Sequence, residues 1–83
     1  MDSKITVYGA DWCGDTRRTR KQLDALGVPY DYVDIDEDKA AEAWITQQNN
    51  GKRKTPTVDV NGTVLIEPTN PKMAQALRDQ GLL

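Results

Sequence analysis

The strongest constraint on the fold is a strand, a helix and a second strand packed into the short stretch between Lys4 and Ile35. Lys4-Ile5-Thr6-Val7-Tyr8 alternates Ile5 and Val7 with polar neighbours, the period of a strand. Gly9 to Asp11 break that pattern, and good helix formers run from about Cys13 to Leu26. They stop at Gly27, with Pro29 two residues beyond, a pairing that ends helices. Tyr30-Asp31-Tyr32-Val33-Asp34-Ile35 is strand-like again. So short a unit closes as a right-handed crossover between parallel strands, and a helix-covered sheet follows from it. The helix has a thin apolar face of Leu23 and Leu26, continued by Thr16 and Thr19.

Downstream, Asp36-Glu37-Asp38 suits a helix N-terminus, where carboxylates meet the positive end of the dipole. The helix continues through Ala40, Ala41, Trp44, Ile45 and Gln48 towards Gly51, with Trp44 on its core side. A basic loop, Lys52-Arg53-Lys54, leads to Thr55-Pro56. Thr57-Val58-Asp59-Val60 and Thr63-Val64-Leu65-Ile66 flank Asn61-Gly62, a two-residue hairpin signal. Asn70-Pro71 reads as N-cap and first position of a last helix, with Met73, Ala74, Ala76 and Leu77 as its apolar stripe and Gly81 as its stop. The expectation is an α/β domain over residues 1–83: a four-stranded mixed sheet with three helices, in the order βαβαββα. The polar segment in the thirties is expected at an edge.

Composition narrows the function classes. The 83 residues fit one small domain, and 13 acidic against 11 basic residues give a net charge of −2. No global basic field invites nucleic acid or an anionic membrane, and no run approaches the roughly 20 apolar residues that span a bilayer. The lead-in Met1-Asp2-Ser3-Lys4 has no apolar signal run, so a cytoplasmic protein is expected. One cysteine and no histidine exclude an internal disulfide and a Cys/His zinc site, and a lone thiol suits a reducing compartment.

That cysteine, Cys13, stands where the loop after the first strand turns into a helix. Unpaired backbone N–H groups and the helix dipole favour its anion there. A lone cysteine is commonly a small buried hydrophobe, but Gly14, Asp15 and three nearby arginines are poor company for a core position. Arg17, Arg18 and Arg20 lower a thiol pKa, whereas Asp11 and Asp15 oppose them, leaving the sign of the net shift open.

Three segments together carry a resemblance: Trp12-Cys13-Gly14-Asp15-Thr16 after a strand, Thr55-Pro56-Thr57 before a hairpin, and Pro68-Thr69-Asn70-Pro71 opening the last helix. Over nearly the whole chain the sequence resembles the glutaredoxin family, of thioredoxin-like fold, and especially its mycoredoxin and glutaredoxin-like branch. The resemblance implies that Cys13 is the nucleophile of a thiol–disulfide oxidoreductase. It also implies that Pro56 is a cis-proline lying against Cys13, and that Thr55 pairs through its backbone with a thiol substrate. Thr69 and Asn70 would hold a carboxylate of the small thiol at a helix N-terminus, and Arg53 would contact the same molecule.

Two departures stand out. Thr16 replaces the second redox cysteine, which removes the dithiol route, and Lys54 precedes Thr55-Pro56 where a small hydroxyl residue is usual. Thr16 either donates to a thiolate or satisfies backbone groups of its helix. Trp12 either lips the substrate groove or packs against the strand end. The Arg17-Arg18-Arg20-Lys21 and Lys52-Arg53-Lys54 runs are either solvated faces or attractors of an anionic thiol.

The reading these features favour is a monothiol protein that resolves mixed disulfides between proteins and glutathione or mycothiol and needs no bound cofactor. It would act as a monomer. A second reading has Cys13 as one ligand of a [2Fe–2S] cluster bridging two subunits, against which stands the absence of phenylalanine where cluster carriers show Cys-Gly-Phe-Ser. A third is a redox-inactive binding module whose thiol Asp11 and Asp15 keep protonated.

Overall fold

The computed structural model describes residues 4–83; Met1, Asp2 and Ser3, part of the lead-in read above, lie outside the described residues. The elements run β1 (Ile5–Gly9), α1 (Gly14–Leu26), β2 (Asp31–Asp34), α2 (Lys39–Gln48), β3 (Thr57–Val60), β4 (Thr63–Ile66) and α3 (Asn70–Asp79). The sheet order is β2-β1-β3-β4. β1 pairs parallel with β2, and β1–β3 and β3–β4 are antiparallel, giving the expected mixed sheet with β2 at an edge.

Alternation along β1 sets the layers. Ile5 and Val7 are buried with Val58 and Val60 of β3, Leu23 of α1, and Met73 and Leu77 of α3 in one cluster. Strand geometry sends Tyr8 to the other face, where its ring meets Trp44 of α2 with centroids 4.9 Å apart. Trp44 is therefore half-buried, and Ile45 is the fully buried residue of α2.

Several terminal signals act as expected. Asp38 caps α2 by accepting from the Ala41 N–H at 3.0 Å. Asn61 and Gly62 both take positive φ, 51° and 97°, which suits a tight hairpin between β3 and β4. Two expectations need correction. Leu26 is 40% exposed, because Gly27 in the left-handed region turns the chain back and lets Val28 cover the core instead, its N–H bonded to the Leu23 carbonyl at 3.0 Å. The N-cap of α3 is Thr69, whose hydroxyl accepts from Lys72 N–H, while Asn70 is the first helical residue. Asn70 is committed elsewhere: its side-chain oxygen takes Arg18 and its carbonyl takes Gln22 at 2.8 Å.

The join between β1 and α1 is closely packed. Thr16 is fully buried and lies on Gly9, where an added Cβ would stand 2.5 Å from Thr16 Cγ2 and 2.6 Å from its Oγ1. Gly9→Ala should accordingly cost about 1–3 kcal/mol in urea unfolding, the usual penalty of overpacking, and Thr16→Ala in the same chain should recover part of that loss. Wild-type stability for Gly9→Ala alone would contradict the packing described.

Candidate active site

The site grows out of that join. Ala10 is buried at the end of β1, and a turn through Asp11 and Trp12 closes when Cys13 N–H bonds the Ala10 carbonyl at 3.0 Å. Cys13 is the N-cap of α1, with extended backbone and no capping bond from its side chain. The sulfur is thus left for chemistry, half-buried, with Sγ 3.6 Å from the Thr55 carbonyl oxygen. The Thr55–Pro56 peptide is cis and Pro56 is buried, matching the residues expected beside the thiol.

Burial pushes the Cys13 thiol up, but hydrogen bonds outweigh it: the side chains of Thr55 and Thr16, and the backbone N–H groups of Thr16 and Asp15, stabilise the anion and hold the pKa below its ordinary value. The sign left open by the sequence is downward. Thr16 does this while its Oγ1 also accepts from Ala10 N–H at 3.4 Å, so its hydroxyl serves the sulfur and the strand end rather than capping the helix. Asp15 assists through its backbone while its carboxylate lies 3.6 Å from Arg18. Asp11 is likewise turned away, accepting from the Tyr32 hydroxyl at 2.8 Å with Arg20 at 3.9 Å. Arg20 lies over the Tyr32 ring at 3.8 Å, and burial together with the Asp11 contact drives the Tyr32 phenol well above its usual range.

On the opposite side, Trp12 is 64% exposed and donates its indole N–H to Asp36 at 2.8 Å. Asp36 also holds Arg53, whose Nε donates to Glu42 at 2.6 Å. Cys13, Gly14, Asp15, Thr16, Thr55 and Pro56 therefore form one constellation. Arg53 sits at its margin with two carboxylates already on the guanidinium, Thr69 spends its hydroxyl on its own helix, and Asn70 joins Gly14 along a groove on α1. Lys54 contributes its carbonyl, which accepts from the Thr57 hydroxyl at 2.9 Å. Asp36, Tyr32 and the structural use of Arg18 were missed from sequence, since the partners lie 24, 21 and 52 positions apart and no local pattern links them.

Comparison with known proteins agrees with this geometry. The Glutaredoxin family model matches residues 5–65. The chain is 40% identical over 76 residues to Mycoredoxin 1 of Corynebacterium glutamicum, covering 90% of each chain. Among solved structures it is similar to a thioredoxin-like protein (TM-score 0.81, 28% identity, 94% of this chain and 97% of that one). It is also similar to a buckwheat glutaredoxin in complex with glutathione (TM-score 0.70, 26% identity, 95% and 72%). With its thioredoxin-like fold, a family model matching most of its length and a single cysteine, the chain belongs to the glutaredoxin family, as a monothiol thiol–disulfide oxidoreductase.

Proposed function

We propose that Cys13 works with Thr16, Thr55 and Pro56 as the reaction centre, and that the small thiol lies between the Thr55 backbone, the Thr69–Asn70 segment and Arg53. The observation that carries this is the thiol held beside the Thr55 carbonyl with its anion supported by Thr16. The Cys13 thiolate attacks the small-thiol sulfur of a protein mixed disulfide. A Cys13–small-thiol disulfide forms as the protein thiolate leaves and takes a proton from solvent. A second small-thiol anion then attacks that adduct, giving the symmetric small-molecule disulfide and restoring the Cys13 thiolate. Trp12 walls the groove, and Gly14 leaves room at the helix start. We place the reaction in a reducing, cytoplasmic setting, with the protein a monomer.

Arg53 also bears on which small thiol is used. A guanidinium already holding Asp36 and Glu42 has little charge left for a third carboxylate, whereas those carboxylates accept readily from hydroxyls. Hydroxyl-rich mycothiol fits that margin better than dicarboxylate glutathione, in keeping with the mycoredoxin relative.

Three outcomes are expected. Cys13→Ser abolishes turnover of a protein mixed disulfide, and equal rates in the two proteins would overturn the reading. Thr16→Val removes a donor to the anion, so the midpoint of iodoacetamide alkylation against pH moves up and alkylation at pH 7 slows; an unmoved midpoint would remove Thr16 from the site. Asp36→Asn with Glu42→Gln frees Arg53, and kcat/KM for glutathione mixed disulfides rises about fivefold relative to mycothiol ones. An unchanged ratio would count against Arg53 as a discriminating residue.

A further inference from the structure

One face of α1 is unexplained by the chemistry at Cys13. Thr16, Thr19 and Leu23 turn inwards and are buried. On the opposite side Gly14, the adjacent pair Arg17 and Arg18, Lys21 and Ala25 recur at helical three- and four-residue spacing and line an open groove of about 850 Å³, with Asn70 of α3 as a wall. Gln22 lies in the same groove with its amide oxygen buried and without a hydrogen-bond partner. The groove begins at the residue after the nucleophile.

Its charge is local and largely uncompensated. The whole chain carries −2, yet three cations line this face. Arg18 has Asp15 at 3.6 Å. Arg17 donates at 3.0 Å to the Asp11 carbonyl, a neutral acceptor, and so keeps its full charge. Lys21 is exposed and has no ion-pair partner among the described residues. Arg20, although in the same run, is turned to Asp11 and Tyr32 and takes no part.

We propose that this groove docks the protein half of the mixed disulfide, as an acidic, extended segment adjoining the target cysteine. Length supports it as well as charge. From Gly14 to Ala25 the helix rises about 16 Å, the reach of roughly five extended residues. A segment tethered at its cysteine beside Cys13 would pass over Arg17 and Lys21 within that span. The protein segment would run along α1 and the small thiol would lie towards Thr55 and Arg53, the two meeting at Asn70, which walls the groove and borders the small-thiol position. The inference rests on the redox reading of Cys13 for its purpose, but the groove's affinity for an acidic peptide does not depend on it.

The test uses two cysteine peptides that differ only in three neighbouring residues, all glutamate or all glutamine. Binding is measured by fluorescence anisotropy to the Cys13→Ser protein at low salt, and cleavage of the corresponding small-thiol mixed disulfides with the native chain. The glutamate peptide should bind about tenfold tighter and be cleaved correspondingly faster at sub-saturating concentration. Lys21→Glu should reduce that preference at least fivefold, and 0.5 M salt should largely abolish it. Equal binding of the two peptides, or a preference untouched by Lys21→Glu, would overturn the docking proposal. A glutamate preference in binding with neither peptide cleaved would uphold the groove and reject the redox reading instead.

Discussion

The side chain of Thr16 resting on Gly9 is the contact through which the site inherits its geometry. It brings the first turn of α1 against the end of β1, and the turn between them, Ala10 to Cys13, has little freedom left. The thiol then falls at the helix N-cap because the helix starts there, and it meets Thr55 because β3 pairs antiparallel with β1, so that the loop leading into β3 lies at the end where β1 exits. The hydroxyl that supports the thiolate belongs to the residue that makes the packing contact. Structure and reactivity are therefore coupled at one position: a change at Thr16 acts on both, and only the separation of stability from thiol titration distinguishes the two effects.

Electrostatics around Cys13 are arranged by pairing. Two aspartates flank the thiol in sequence, and by charge alone they would hold its proton in place. Each is drawn off by a partner, Asp15 by Arg18 and Asp11 by Tyr32 and Arg20, and what reaches the sulfur is a set of N–H and O–H dipoles. At short range a hydrogen-bond donor aimed at an anion outweighs a carboxylate that is turned aside and neutralised. The third reading of the sequence, a thiol kept protonated by its neighbours, draws no support from this arrangement, since both carboxylates are paired and the thiol is shifted downward.

How much could be read from the sequence varies with how local the determinant is. The order of elements, the hairpin at Asn61-Gly62 and the stop at Gly27 are set by neighbouring residues and were legible. So was the placing of Cys13 at the start of α1 beside the Thr55-Pro56 segment, from its position after a strand. The shift of the α3 cap from Asn70 to Thr69 was not, since it depends on Arg18 reaching across from α1. The same holds for Arg53, whose commitment to Asp36 and Glu42 is settled by how α2 and its flanking loops fold together. Leu26 misled because helical periodicity continues to the last turn, whereas the turn at Gly27 hands its place to Val28.

Trp12 carries a practical consequence. Its indole is solvent-exposed, adjacent to the thiol in sequence, and tied to Asp36 by one hydrogen bond, while the chain's other tryptophan, Trp44, packs on Tyr8 beneath the far face of the sheet. Two chromophores in such different surroundings report on different things. Emission from Trp44 would follow whether the sheet and α2 remain assembled, and, on the redox reading of Cys13, emission from Trp12 would follow what occupies the neighbouring thiol. On that reading the native chain would contain its own optical gauge of adduct formation, with an internal standard for folding, and no label need be attached.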